Sequence, residues 1–231
     1  MSSVLITGAN RGLGLEFANE YATDGWHVFA TCRRPAEADQ LKDLTRKAGH
    51  RVSVLAMDVI DIESIRNVAR ELKDAAIDVL INNAGIGGPH GQTTGNVDYE
   101  AWAHVLDVNT IGPLRVLEAF TEQLARSERK LVVTITSGMA SIADNTSVGS
   151  IPYRSSKAAV NMVMRSAAID LAPRGITCVL LSPGWVKTDM GGPAARLTPQ
   201  QSVGAMRRLI AKMGPQGSGK FLHYDGREFP W

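Results

Sequence analysis

Short apolar, β-branched runs alternate with helical stretches along the whole chain, and this alternation constrains the fold more than any other feature. Seven runs are predicted to be strands: Val4–Thr7, His27–Thr31, Val52–Met57, Val79–Ile81, Lys130–Ile135, Thr177–Leu181 and Lys220–Leu222. Six helices are predicted near Gly14–Thr23, Ala38–Ala48, Ile62–Lys73, Tyr99–Leu124, Tyr153–Leu171 and Pro199–Lys212. This order is typical of a parallel sheet with helices on both faces. We therefore predict one doubly wound α/β domain over residues 1–231.

Three predicted connections are longer than a compact domain normally needs, namely Gly85–Asp98, Gly138–Pro152 and Gly184–Leu197. Each follows a strand, so all three are expected at the carboxyl edge of the sheet. Open α/β sheets bind their ligands at that edge. We expect the functional site there.

Charge and cysteine content exclude several classes of function. The formal net charge is +2 with basic residues scattered along the chain, which argues against nucleic acid as a partner. Cys32 and Cys178 have no neighbouring Cys or His at metal-ligand spacing, so we expect two reduced thiols and no metal site. The start of the chain lacks signal-peptide character, and no apolar run approaches the length of a membrane span. We expect a cytoplasmic homodimer or homotetramer with no membrane partner.

The turn after the first predicted strand is rich in glycine and leads directly into a helix. Glycines allow a tight turn and a close approach of backbone to a pyrophosphate, whose charge then rests on the helix N-terminus. The spacing G-x3-G-x-G departs from G-x-G-x-x-G, and a tight turn needs glycine for steric reasons alone. Its position favours a Rossmann-type dinucleotide site formed by Gly8, Asn10, Arg11, Gly12, Leu13 and Gly14.

The end of the second strand distinguishes NAD from NADP, since an acid there binds the ribose 2′-hydroxyl and a base binds a 2′-phosphate. The chain reads Cys32-Arg33-Arg34, with no acid before Glu37. Arg33, together with Arg11 in the glycine turn, suits a phosphate dianion. Two solvated loop arginines are the alternative, and we favour NADP(H) as the cofactor.

Tyr153 and Lys157 open the fifth predicted helix, four residues apart and therefore on one face. An ammonium group near a phenol stabilises the phenolate and lowers its pKa toward the working range of a general acid or base. The pair is common by chance and is not decisive alone.

Six motifs in register resemble the short-chain dehydrogenase/reductase family over about residues 3 to 190. They are the glycine turn, Asn82-Asn83-Ala84-Gly85, Asn109, Ile135-Thr136-Ser137, Tyr153-x-x-x-Lys157 and Pro183-Gly184. The sequence from Tyr153 to Met162 and the ending Phe221 to Trp231 are more narrowly similar to sniffer-type carbonyl reductases and bacterial C-factor-like proteins.

The resemblance implies a role for each matching residue. Ser137 would hydrogen-bond the substrate oxygen, Tyr153 would exchange the proton, Lys157 would tune Tyr153 and bind the nicotinamide ribose, and Asn109 would hold a water. The remaining cofactor contacts would come from Asp58, Val59, Asn82, Ala84, Gly85, Val186 and Thr188. Asn82-Asn83 has a purely structural alternative as a polar strand end.

The resemblance implies an NADP(H)-dependent oxidoreductase for a small carbonyl or alcohol substrate, most simply a carbonyl reductase. Ser137 and Tyr153 are sixteen positions apart, more than the family's usual spacing, so Ser141 is a rival for the serine role. We favour Ser137, because it directly ends the apolar strand, whereas Ser141 lies inside the connection. Met139, Ile142, Trp185 and Met190 are candidates for an apolar substrate pocket. A signalling or cofactor-binding protein and a sugar-nucleotide epimerase or dehydratase on the same scaffold are the alternatives.

Overall fold

The structure is a computed structural model that describes Met1–Trp231. Its strands are β1 Ser3–Ile6, β2 His27–Cys32, β3 Val52–Ala56, β4 Val79–Asn82, β5 Leu131–Ile135, β6 Thr177–Ser182 and β7 Phe221–His223. Its α-helices are α1 Gly12–Thr23, α2 Asp39–Ala48, α3 Ile62–Glu71, α4 Tyr99–Leu106, α5 Gly112–Ala125, α6 Ile151–Asp170 and α7 Pro199–Lys212. All strands pair in parallel in the order β3-β2-β1-β4-β5-β6-β7. This confirms the predicted doubly wound α/β sheet.

Helices cover both faces of the sheet, each over its own apolar cluster of 25 buried residues. Residues of α1, α2 and α7, such as Phe17, Leu41 and Met206, pack on one face. Residues of α3, α5 and α6, such as Phe120 and Met164, pack on the other. Burial on both faces explains why the strands are apolar throughout instead of alternating. No helix in the structure is both long and apolar enough to cross a membrane.

Helix α7 has the bounds that the sequence predicts. The Thr198 hydroxyl accepts from the Gln201 N–H, and the Gln201 side chain accepts from the Thr198 N–H, which completes a capping box. Helix α6 begins at Ile151, earlier than the predicted Tyr153, because Pro152 fits the first turn of a helix. Tyr153 consequently lies within the first turn of α6 and not at its start.

The predicted helix Tyr99–Leu124 is divided by a π-helical turn at Asp107–Ile111, and α4 and α5 lie on either side of it. A π-turn leaves no mark in hydrophobic periodicity, which is why the sequence predicts one uninterrupted helix. Such turns are frequently found at functional sites. This one contains Asn109.

The order of the strands reverses between β1 and β4. From β1 the chain adds β2 and β3 toward one edge of the sheet, and from β4 it adds β5, β6 and β7 toward the other. In open α/β sheets this switch point leaves a crevice beyond the carboxyl ends of the strands. Here the glycine turn follows β1, and the first of the three long connections follows β4. The other two long connections follow β5 and β6 and therefore lie at the same edge.

Candidate active site

The glycine turn lies at the crevice and is packed too tightly to accept side chains. A Cβ at Gly14 would lie 2.3 Å from the Gly8 carbonyl oxygen and 2.5 Å from Asn83 Nδ2. Gly8 has a φ of +64°, a left-handed conformation that favours glycine. No side chain caps the N-terminus of α1. The turn therefore presents backbone N–H groups that suit an anionic ligand.

Asn83 joins the glycine turn to the end of β4. Its Nδ2 donates to the Thr7 and Gly8 carbonyl oxygens at 2.9 and 3.1 Å, and the Thr7 hydroxyl accepts from the N–H groups of Asn83 and Ala84 at 3.0 Å. Ala84 and Gly85 line the crevice, as does Asn83. Asn82 does not line it, because its side chain is buried and donates to the Pro113 carbonyl.

One end of the crevice is basic. Arg33 is exposed and lines the crevice, and no carboxylate pairs with it, whereas its neighbour Arg34 pairs with Glu37 at 3.3 Å. Arg11 also lines the crevice but forms an ion pair with Asp189 at 2.8 Å. Sequence reasoning missed Asp189, since no local signal links residues in such distant loops.

Asp58 and Val59 line the crevice. Several residues that the sequence did not single out also line it. Those further residues are Met57, Ile60, His104 and Val108. Asp58 Oδ1 accepts from the Ile60 N–H at 3.2 Å, which fixes the turn after β3. Thr188 also lines the crevice, while Gly14 and Val186 lie behind its surface.

Lys157 and Tyr153 lie at the opposite end of the crevice. Lys157 is 5% exposed, and its Nζ donates to the Ile135 carbonyl at 2.9 Å and lies 5.9 Å from the centroid of the Tyr153 ring. Burial lowers the pKa of Lys157 to about 8. Burial raises the pKa of the Tyr153 hydroxyl, and a hydrogen bond with Ser137 acts in the opposite direction. Tyr153 is therefore protonated at neutral pH and suited to donate a proton.

Ser137, and not Ser141, lies against Tyr153. The Ser137 Oγ accepts from the Met139 N–H at 3.1 Å, so its own hydrogen is free to point elsewhere. The Ser141 hydroxyl is buried and accepts from the Asp144 N–H at 3.1 Å. The additional residues of this connection bulge outward, since all of those from 142 to 148 are exposed.

Asn109 contacts the backbone beside Lys157. Its Oδ1 accepts from the Ile86 N–H and its Nδ2 donates to the Ile86 carbonyl, both at 2.8 Å. A Cβ at Gly85 would lie 3.1 Å from Asn109 Oδ1 and 3.5 Å from Lys157 Nζ. The π-turn thus brings Asn109, Gly85 and Lys157 together, although Asn109 itself does not line the crevice.

The four apolar residues predicted around a substrate are not equally placed. Only Met190 lines the crevice, and it is 55% exposed. Met139 is half-buried beside Ser137, and Trp185 is exposed with its Nε1 donating to the Gly191 carbonyl at 2.7 Å. Ile142 is 77% exposed on the bulge. The structure does not bring these side chains together into one closed pocket.

Most of the chain is similar to one known protein family. The family model described as short chain dehydrogenase matches residues 2–197. C-signal of Myxococcus xanthus is 46% identical over 167 residues, which are 72% of this chain and 100% of that protein.

Two solved structures cover the whole of this chain. Carbonyl reductase Sniffer of D. melanogaster superposes with a TM-score of 0.92 at 33% identity, with 100% of each chain covered. The NADPH-bound carbonyl reductase from chicken fatty liver superposes with a TM-score of 0.92 at 35% identity, with 100% of this chain and 99% of that one covered. The likeness to both extends beyond the glycine turn and includes the C-terminal part of the chain.

Proposed function

The chain belongs to the short-chain dehydrogenase family, and from that premise we propose that it is an NADP(H)-dependent carbonyl reductase. The observation on which this depends is the proximity of the Ser137 and Tyr153 hydroxyls beside the buried Lys157, and both Tyr153 and Lys157 line the crevice. A proton donor next to a second hydroxyl is the arrangement needed to protonate a carbonyl oxygen as it gains charge. The carbonyl reductases of similar structure support the same reaction class.

The residues along the crevice fit a dinucleotide phosphate. The packing at Gly8 and Gly14 leaves no room for side chains, so the backbone of the glycine turn is free to face a pyrophosphate. Arg33, unpaired with any carboxylate, suits a 2′-phosphate, and Arg11 lines the same crevice. The NADPH in the chicken structure supports this choice of cofactor. When bound, NADPH would supply the hydride.

The protein's part in the reaction is to hold the substrate oxygen and provide its proton. Ser137 would donate to the oxygen, because its Oγ already accepts from Met139 and its hydrogen remains available. Tyr153 would give its proton to the same oxygen. Lys157 would stabilise the resulting phenolate and bind the nicotinamide ribose, and Asn109 would hold a water that links Lys157 to solvent. Val186 and Thr188 would fix the nicotinamide amide.

The substrate would be a lipophilic ketone or aldehyde. Met190 presents an apolar side chain at the crevice, and Met139, Ile142 and Trp185 lie in the connections that follow β5 and β6 at the same edge of the sheet. The test is a panel of ketones and aldehydes assayed by NADPH consumption, with NADH in parallel. We expect turnover with NADPH and faster turnover as the apolar part of the substrate grows. Absence of turnover across the panel would contradict the proposal.

A second candidate function is signalling, because the relative with 46% identity is named C-signal. The arrangement of Ser137, Tyr153 and Lys157 suits proton transfer, and signalling alone would not account for it. The Tyr153→Phe variant separates the two functions. A signalling response that persists without turnover would indicate a role independent of catalysis.

A further inference from the structure

The segment Phe229–Trp231 reverses direction after β7 and is fastened to that strand. Leu222 forms an antiparallel bridge with Glu228, and the Phe229 N–H donates to the Phe221 carbonyl at 2.8 Å. The rings of Phe229 and Phe221 stack with centroids 4.7 Å apart. Since Phe221 is fully buried, the segment has a rigid support.

The same segment holds the connection that carries Ser137, and it does so at two places. A Cβ at Gly138 would lie 3.0 Å from Phe229 Cζ, so the Phe229 ring stands directly over the residue that follows Ser137. Beyond it, the N–H groups of Ile142 and Ala143 both donate to the main-chain oxygen of Trp231, the second at 3.2 Å. The turn between Ser137 and Ala143 is therefore held at both ends.

The orientation of the Ser137 hydroxyl depends on this turn. Its Oγ accepts from the Met139 N–H at 3.1 Å, and the Ser137 carbonyl accepts from the Ala140 N–H at 3.0 Å. Both bonds span Gly138, and glycine has the widest backbone freedom of any residue type. A flexible residue next to a hydroxyl that must be placed within about 0.5 Å needs support from packing. Phe229 is the side chain that packs there.

We infer that Phe229 is a positioning residue for Ser137, acting through Gly138, and that Trp231 assists by holding the far end of the turn. Phe229 itself does not line the crevice. This role rests on the proposed function, since it concerns the hydroxyl that would bind the substrate oxygen.

The test is a double-mutant cycle with Phe229→Ala and Ser137→Ala, measured as kcat/KM for a ketone with NADPH. In the parent protein we expect Phe229→Ala to lower kcat/KM by about tenfold, because misplacing a reacting group is costly. In the Ser137→Ala background the same change should have less than about a twofold effect. An equal factor in both backgrounds would show general destabilisation, and no loss in the parent would also overturn the proposal.

A second readout does not depend on turnover. Hydrogen exchange at the amides of Met139, Ala140 and Ser141 should accelerate in Phe229→Ala, while the affinity for NADPH stays within about twofold. If Phe229→Ala does not fold, Phe229→Leu keeps apolar volume and should show the same pattern with a smaller factor. The control is Glu228→Ala, an exposed neighbour that contacts Lys220 instead. Unchanged exchange would overturn the positioning role, whereas an inactive parent protein would overturn only the proposed reductase function.

Discussion

Arg11 and Asp189 form an ion pair of 2.8 Å across the mouth of the crevice, which joins the glycine turn to the connection after β6. Both side chains are largely exposed, so the pair itself contributes little to stability. We expect the pair to weaken cofactor binding, because the Asp189 carboxylate competes with a phosphate for the Arg11 guanidinium. The pair therefore predicts a variant with improved binding.

We expect Asp189→Asn to bind NADPH about two- to fivefold more tightly, the factor that corresponds to an exposed ion pair of up to about 1 kcal/mol. Fluorescence titration of NADPH measures it, with Asp144→Asn as a control in another exposed connection. The gain should shrink at high ionic strength. Equal or weaker binding would show that Arg11 does not reach the phosphate.

Arg33→Asp should lower the affinity for NADPH by about ten- to a hundredfold, because a charge-assisted hydrogen bond to the 2′-phosphate is lost and a like charge is added. The affinity for NADH should fall much less or improve. Arg34→Asp is the matched control, since Arg34 pairs with Glu37 and does not line the crevice. The assignment fails if the parent protein binds both cofactors equally.

Tyr153→Phe should leave NADPH affinity within about twofold and lower kcat by at least about a hundredfold, because only the proton donor is removed. Tyr99→Phe, at a tyrosine that is 74% exposed, controls for loss of a hydroxyl elsewhere. Steady-state kinetics and a cofactor titration separate the two effects. Full activity in Tyr153→Phe would mean that another group is the acid.

Ser137→Ala should lower turnover by about a hundredfold or more, as loss of an oxyanion donor typically does. Ser141→Ala should change turnover by less than about threefold, because Ser141 only caps a surface turn through Asp144. Both variants are measured with the same ketone and saturating NADPH. The reverse ranking would exclude Ser137 from the catalytic group.

The buried Lys157 makes stability depend on pH in a defined direction. Burial lowers its pKa to about 8, whereas the unfolded chain keeps a value near 10.4. Between these values the unfolded chain binds more protons, so the free energy of unfolding rises with pH.

Relative to Lys157→Met, the cofactor-free parent protein should gain about 2 kcal/mol in free energy of unfolding from pH 7.5 to 9.5. Urea unfolding at the two pH values measures this difference. Lys187→Met, at an exposed lysine, should show no such trend. A difference that stays flat with pH would mean that Lys157 is not buried as the structure has it.

Features with a local cause were predictable from the sequence. The predicted start of α7 is correct and has a local cause in the capping box of Thr198 and Gln201, and the apolar runs located every strand to within a residue or two. The position of Ser137 also followed from its place at the end of β5, a rigid support for a side chain.

Features that depend on distant contacts were not predictable. The pairing of Arg11 with Asp189 and the packing of Phe229 on Gly138 join residues that only the folded sheet brings together. Asn82 and Asn83 are adjacent in sequence, but the alternation of side chains at a strand end sends only Asn83 to the glycine turn. The π-turn at Asn109 has no sequence periodicity of its own.

The strand order has a consequence for the timing of synthesis. β1 takes its place between β2 and β4, yet β4 follows β1 by about seventy residues, several seconds of translation at about 5–20 residues per second. The nascent chain therefore carries β1 with one edge open until β4 leaves the ribosome. The hydrogen bonds from Asn83 to the glycine turn cannot form earlier, so the turn that would hold the pyrophosphate lacks this support during the interval.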